Sequence, residues 1–127
     1  MADLKEKAIA LLGSTSSVDM QSAAAKTDLY TVPTGKTAYV THVIVRDPSA
    51  SLSGGTDYDL GTGAICDTWV QATSLTTLTT ANTDYIVITG SGTKYTECAA
   101  GDVFGIYVNT GSTGAATATI DVFGYLA

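Results

Sequence analysis

The sequence predicts an all-β fold, a two-sheet antiparallel β-sandwich joined by short turns. Three observations carry this expectation. From Leu29 to Arg46 the chain reads as a short strand, a turn centred on Pro33 and Gly35, and a long strand rich in β-branched and aromatic residues. Residues 116–126 alternate cleanly, with Ala118, Ile120, Val122, Gly124 and Leu126 on one side and Thr117, Thr119, Asp121, Phe123 and Tyr125 on the other. Thr is frequent and Gly numbers 13, a composition that suits strands linked by tight turns.

Taken in order, the first element is the exception. Leu4, Ala8, Leu11 and Leu12 fall on one face at helical spacing, Asp3 can cap the segment and Gly13 can end it. A helix this short is marginal alone, so it is expected to be an arm that docks on a partner, followed by a Ser-rich hinge over 13–17. Residues 1–17 are thus read as arm and hinge and 18–127 as the sandwich domain, with deletion of 1–13 expected to leave domain stability nearly unchanged. Strands are expected at 18–25, 28–32, 37–46, 58–60, 64–72, 84–89, 93–98, 103–109 and 116–126. Residues 73–83 form a long loop or an edge strand, and Phe104, Ile106 and Val108 face away from Val103, Gly105 and Tyr107. Pro48, Gly54-Gly55, Gly61, Gly63, Gly90-Ser91-Gly92, Gly101 and Gly111 mark the turns. About eight or nine short strands at such spacing describe a sandwich, with a jelly roll as the expected connection.

The bulk numbers narrow the function classes. A chain of 127 residues is one domain, large enough for an independent core. Its net charge is −6, and the six basic residues (Lys5, Lys7, Lys26, Lys36, Arg46 and Lys94) form no run. That balance argues against nucleic-acid binding and against a polybasic membrane anchor. No stretch approaches the roughly 20 apolar residues of a spanning helix, and the N-terminal run is too short for a secretory signal, so synthesis in the cytosol is expected. Cys66 and Cys98 fit that compartment as reduced, buried thiols, with a disulfide between them as the other reading.

No catalytic set is recognisable, and no cofactor is expected. Asp57 and Asp59, near Asp47 and Asp67, are the best metal candidates, since a Gly-Asp loop can offer calcium its oxygens. Their spacing does not match a helix-loop-helix calcium loop, and an Asp-capped turn is the favoured reading. His42, the single histidine, lies mid-strand without an evident partner set and is read as structural. No Gly-x-Ser-x-Gly elbow is present. Trp69, Tyr58, Tyr85, Tyr95, Tyr107, Phe123 and Tyr125 are the aromatics a sugar could stack on, and Trp69, expected to share a face with Ile65, Asp67 and Gln71, could be a half-exposed platform. Phe123 and Tyr125, opposite the core side of the last strand, are either anchors of a protein interface or covered by the N-terminal segment or a neighbouring strand.

Residues 29–36 (Leu-Tyr-Thr-Val-Pro-Thr-Gly-Lys), 101–108 (Gly-Asp-Val-Phe-Gly-Ile-Tyr-Val) and 120–126 (Ile-Asp-Val-Phe-Gly-Tyr-Leu) resemble small β-sandwich structural proteins of tailed bacteriophages. The closing strands also resemble the trimeric jelly rolls of complement-like and tumour-necrosis-like domains. The resemblance covers roughly residues 28–127. It implies a non-enzymatic virion component, a cement or decoration protein on the outer capsid surface that bridges subunits of the major capsid protein or another virion protein, with a homotrimer favoured. The partner-binding residues would be Leu4, Ala8, Leu11 and Leu12 on the arm and Phe123 and Tyr125 on the last strand. A tail, neck or fibre component is the nearest alternative, and a carbohydrate- or receptor-binding module the alternative of another class.

Overall fold

The computed structural model describes residues 8–90 and 97–127. Its strands are β1 (Ala10–Asp19), β2 (Ala25–Thr31), β3 (Ala38–Arg46), β4 (Asp57–Gly61), β5 (Val70–Thr73), β6 (Tyr85–Thr89), β7 (Glu97–Cys98), β8 (Val103–Thr110) and β9 (Thr117–Leu126). They form two antiparallel sheets. The first has the order β1-β9-β3-β6, with β7 also paired to β3, and the second has the order β2-β8-β4-β5.

The expected alternation of the closing strands is what builds the core. Ala118, Ile120 and Val122 of β9 are buried beside Val43 and Val45 of β3 and Ile88 of β6. Phe104, Ile106 and Val108 of β8, with Tyr58 and Leu60 of β4 and Leu29 of β2, belong to the same cluster. Side chains two apart on a strand share a face, so each sheet turns one apolar row inward. Residues 73–83, left open between loop and edge strand, continue beyond β5 as a loop, and its Leu75 and Leu78 are fully buried with Leu52. Backbone hydrogen bonds from Leu52 N to Leu78 O (2.8 Å) and from Leu75 N to Gly55 O (2.9 Å) fasten that loop.

The N-terminal segment departs from expectation. Residues 10–19 are not helix and hinge but a strand, β1, paired with β9 from Ala10 opposite Gly124 to Asp19 opposite Thr117. The division after residue 17 falls inside this strand. The physical reason is competition: a ten-residue helix gains little in isolation, whereas the edge of β9 offers a full ladder of backbone partners. Two register shifts, between Leu11 and Gly13 and between Thr15 and Val18, absorb the irregular side-chain order. Leu4 lies outside the described residues, as does most of the strand expected at 93–98; its remnant is β7. The weak strand expected at 18–25 is instead the end of β1, a turn, and the start of β2. Val18 and Met20 are buried, and the Tyr58 hydroxyl donates to Met20 O at 2.7 Å. Likewise the expected strand at 64–72 is mostly turn, and β5 begins only at Val70.

Glycine is required where β3 and β9 come closest. At Gly124 a Cβ would run into the carbonyl oxygen of Tyr39 on the neighbouring strand, so only glycine allows β3 to approach β9 there.

Two outcomes follow from these contacts. Deleting residues 1–13 removes the half of β1 that pairs with 122–124 of β9 and should lower the melting temperature by roughly 5 °C or more; an unchanged melting curve would mean that this ladder is not formed. Gly124→Ala should destabilise the domain by about 1–3 kcal/mol in urea unfolding. Gly114→Ala, where a Cβ meets nothing within 4 Å, is the matched control expected near zero.

Candidate interaction face

The solvent-facing side of the first sheet gathers the residues that sequence reasoning had treated separately. Leu11 of β1 stands opposite Phe123 of β9, and Phe123 stands opposite His42 of β3. Bulges make this possible. An extra residue at Leu12 in β1 and at Thr41 in β3 shifts the alternation, so that Leu11 with Ser14, and Tyr39 with His42, come to the same side. The His42 imidazole then lies flat on the Phe123 ring, with centroids 4.6 Å apart and planes 5° apart. Tyr39 and Tyr125 stack one register step further along, at 5.0 Å and 16°. Beyond β3, Ile44 faces Val87 and Arg46 faces Tyr85 on β6.

This face is apolar and open. Ile9, Leu11, Tyr85 and Val87, four of the five large hydrophobic residues exposed among those described, lie on or beside this sheet. Phe123, Tyr125, Tyr39 and His42 are half-buried, held by one another with one side of the cluster facing solvent. Such a concentration on one sheet face is the signature of a contact surface, in contrast to single scattered apolar residues.

The charge cluster in the middle of this face joins one cation, Arg46, to two carboxylates. Asp121, buried on the outer side of β9, accepts a hydrogen bond from Arg46 Nε (2.8 Å) and another from Ser14 Oγ (2.6 Å). Arg46 also reaches Asp47 at 2.7 Å. Burial by itself raises the Asp121 carboxyl, but the hydrogen bonds from Arg46 and Ser14 and the Arg46 charge outweigh it and hold the group below its ordinary value of 3.8. These bonds tie β1, β9 and β3 together across the face.

Of the predicted partner-binding residues, Leu11, Phe123 and Tyr125 come together here. Ala8 is exposed just ahead of β1, and Leu12 is half-buried at the bulge. His42 is occupied structurally: Thr41 Oγ1 lies 3.0 Å from its Nδ1 and 3.2 Å from Phe123 O. With the single hydroxyl proton of Thr41 given to Phe123 O, Nδ1 is the donor to Thr41. Tyr39, Ile44 and Val87 were missed, and Tyr85 was read only as a possible sugar platform. Tyr39 and Val87 sit in strands whose sequence is apolar on both sides, so periodicity could not say which row faces water.

The other candidates are placed elsewhere. Asp59 Oδ1 accepts the Ala72 N–H (2.9 Å), and the Asn109 side-chain amide bridges Asp57 (3.1 Å) and Asp59 (3.0 Å), so these carboxylates fasten β4 to β8 and β5. Among the described residues no group of three or more His, Cys, Asp or Glu side chains could hold a metal ion. Trp69 is not a surface platform. It is 3% exposed, stands edge-on to Phe104 at 5.5 Å, and has Gly90 against its indole. Cys66 and Cys98 are free and buried, and burial pushes both thiols up to about 11. No described helix is long and apolar enough to cross a membrane.

No protein-family model matches the sequence, and no curated protein matches it. Among solved structures, a chain of the "Cyanophage Pam1 capsid asymmetric unit" aligns with a TM-score of 0.56 and 15% sequence identity, covering 94% of this chain and 85% of that one. At that identity the likeness establishes a shared all-β fold over almost the whole chain.

The Asp121 network sets a direction for acid sensitivity. A carboxyl whose folded value lies below its ordinary one stabilises the fold fully above pH 3.8, and that contribution is lost as pH falls through the folded value. Asp121→Asn should cost about 1 kcal/mol at neutral pH. Below pH 3.8 its melting temperature should fall less steeply than that of the wild type; parallel curves would mean that the ion pair does not hold the sheet.

Proposed function

We propose that this chain is a virion structural protein of a tailed bacteriophage, a cement or decoration protein on the outer capsid surface whose output is contact area and not catalysis. The carrying observation is the open, largely apolar face built by β1, β9, β3 and β6. An acidic domain with one apolar face is kept in solution by its charged surfaces and adheres through this one. Burying Leu11, Phe123 and their neighbours against a capsid subunit is worth on the order of 1 kcal/mol per half-exposed side chain. A few such anchors suffice when many copies act on one shell.

Two further observations support the reading. The fold is shared over 94% of the chain with a component of a cyanophage capsid asymmetric unit. The strand orders β1-β9-β3-β6 and β2-β8-β4-β5 also alternate between the sheets in a way that supports a jelly-roll connection. The homotrimer belongs to the same proposal, with three copies gathered on the particle at its local three-fold axes. The carbohydrate-binding alternative loses Trp69 and Tyr58 to the core and keeps only rings such as Tyr85, Phe123 and Tyr125, which belong to the same open face. A tail, neck or fibre position is the alternative the same surface would also serve.

The test uses phage particles and the full chain. Mass spectrometry should find the protein in purified heads and not in the tail fraction. Added protein should bind heads assembled without it, and Leu11→Lys should weaken that binding at least about tenfold with an unchanged melting temperature. Recovery in tails alone would move the role to the tail, and absence from particles would end the virion reading.

A further inference from the structure

We propose that β6 is an assembly edge, through which two copies of this chain join by antiparallel pairing of β6 with β6 of the second copy. The edges formed by β1, β2 and β5 each carry a feature that discourages strand addition. β1 has two register shifts and Ser17 at φ 56°. β2 is shifted between Asp28 and Tyr30 and carries the Lys26–Asp28 ion pair at 3.4 Å. β5 has only four residues, a shifted register, and Ala72 at φ 54°.

β6 has none of these. Residues 85–89 pair with 42–46 of β3 one for one without a shift. The strand reads Tyr-Ile-Val-Ile-Thr, all aromatic or β-branched, with no charge, proline or glycine. Tyr85 is 68% and Val87 50% exposed, and among the described residues no strand lies on the far side of β6. An edge so regular and apolar is an aggregation hazard unless it has a partner.

The strand's own sequence argues that the partner is a second copy. A two-fold axis through Val87 sets Val87 against Val87, Tyr85 against Thr89, and Ile86 against Ile88 of the second copy. All are pairs of the kind that stabilise antiparallel sheets. Ile86 and Ile88 point to the core side, so the pairing also joins the apolar layers of the two sandwiches. Charge points the same way. Each chain carries −6, so copies repel through most of their surface, whereas β6 brings no charge to the contact. Asp84, at its start, is already engaged with the Thr79 and Thr80 N–H groups at 2.8 Å each and would fall opposite Gly90 of the second copy. The pairing needs nothing from the virion reading; if both hold, it ties neighbouring copies on the shell across a local two-fold axis.

Light scattering and cross-linking on the full chain test the pairing. Wild type should have an even-numbered mass, and Val87→Lys should halve it while leaving the far-ultraviolet circular dichroism spectrum of a folded β protein unchanged. Val87→Cys should give a covalent dimer under mild oxidation, since directly opposed residues place their Cβ atoms about 4.5–5.5 Å apart, near disulfide reach. Leu11→Cys, on the far edge of the sheet, should not cross-link, and Leu11→Lys should keep the wild-type mass. A single-chain mass at the highest concentration reached, or a mass that Leu11→Lys lowers and Val87→Lys does not, overturns the proposal. Equal cross-linking at both cysteines does the same.

Discussion

Strand β9 is paired on both sides along nearly its whole length, with β1 over 117–124 and with β3 over 119–126. The rest of the first sheet depends on that double pairing. The inner row of β9 supplies Ala118, Ile120 and Val122 to the core, and its outer row supplies Phe123 and Tyr125 to the open face. A slip of one residue would exchange the two rows, burying Thr119 and Asp121 and exposing Ile120 and Val122. Register is therefore held by core burial on one side and by the Ser14–Asp121–Arg46 bonds on the other.

The bulges convert this register into a surface. Inserting Thr41 into β3 brings Tyr39 and His42 to the same side, where each finds a ring on β9. Offset-stacked aromatic pairs fix their partners' orientation, so the half-buried rings form a rigid platform and not a mobile fringe. A preformed platform loses little side-chain freedom when it is covered, which favours adhesion by modest contacts. The open face and the core are thus opposite sides of the same strands.

The second sheet has a different part. Its outer side is tied by polar bonds, Asp59 to Ala72 N and Asn109 to both Asp57 and Asp59. Trp69 and Phe104 fill its inner side. It backs the first sheet and closes the core, while the loop carrying Leu75 and Leu78 adds buried apolar residues that neither sheet provides.

The all-β class, the two-sided alternation of β8 and β9, and the placing of Phe123 and Tyr125 away from the core were determined by the sequence itself, because strand periodicity is local and these strands have one apolar side. The tertiary structure decided what depends on distant partners. Residues 10–19 become a strand because β9, more than a hundred positions away, offers a ladder that an isolated helix cannot match. Trp69 goes inward because Phe104 and Gly90 meet it there, which no spacing around residue 69 announces. Leu11 joins Phe123, and Tyr39 joins Tyr125, only through single-residue bulges that shift side chains from one face to the other. Local pattern specifies which residues belong to strands; only pairing specifies which surface they share.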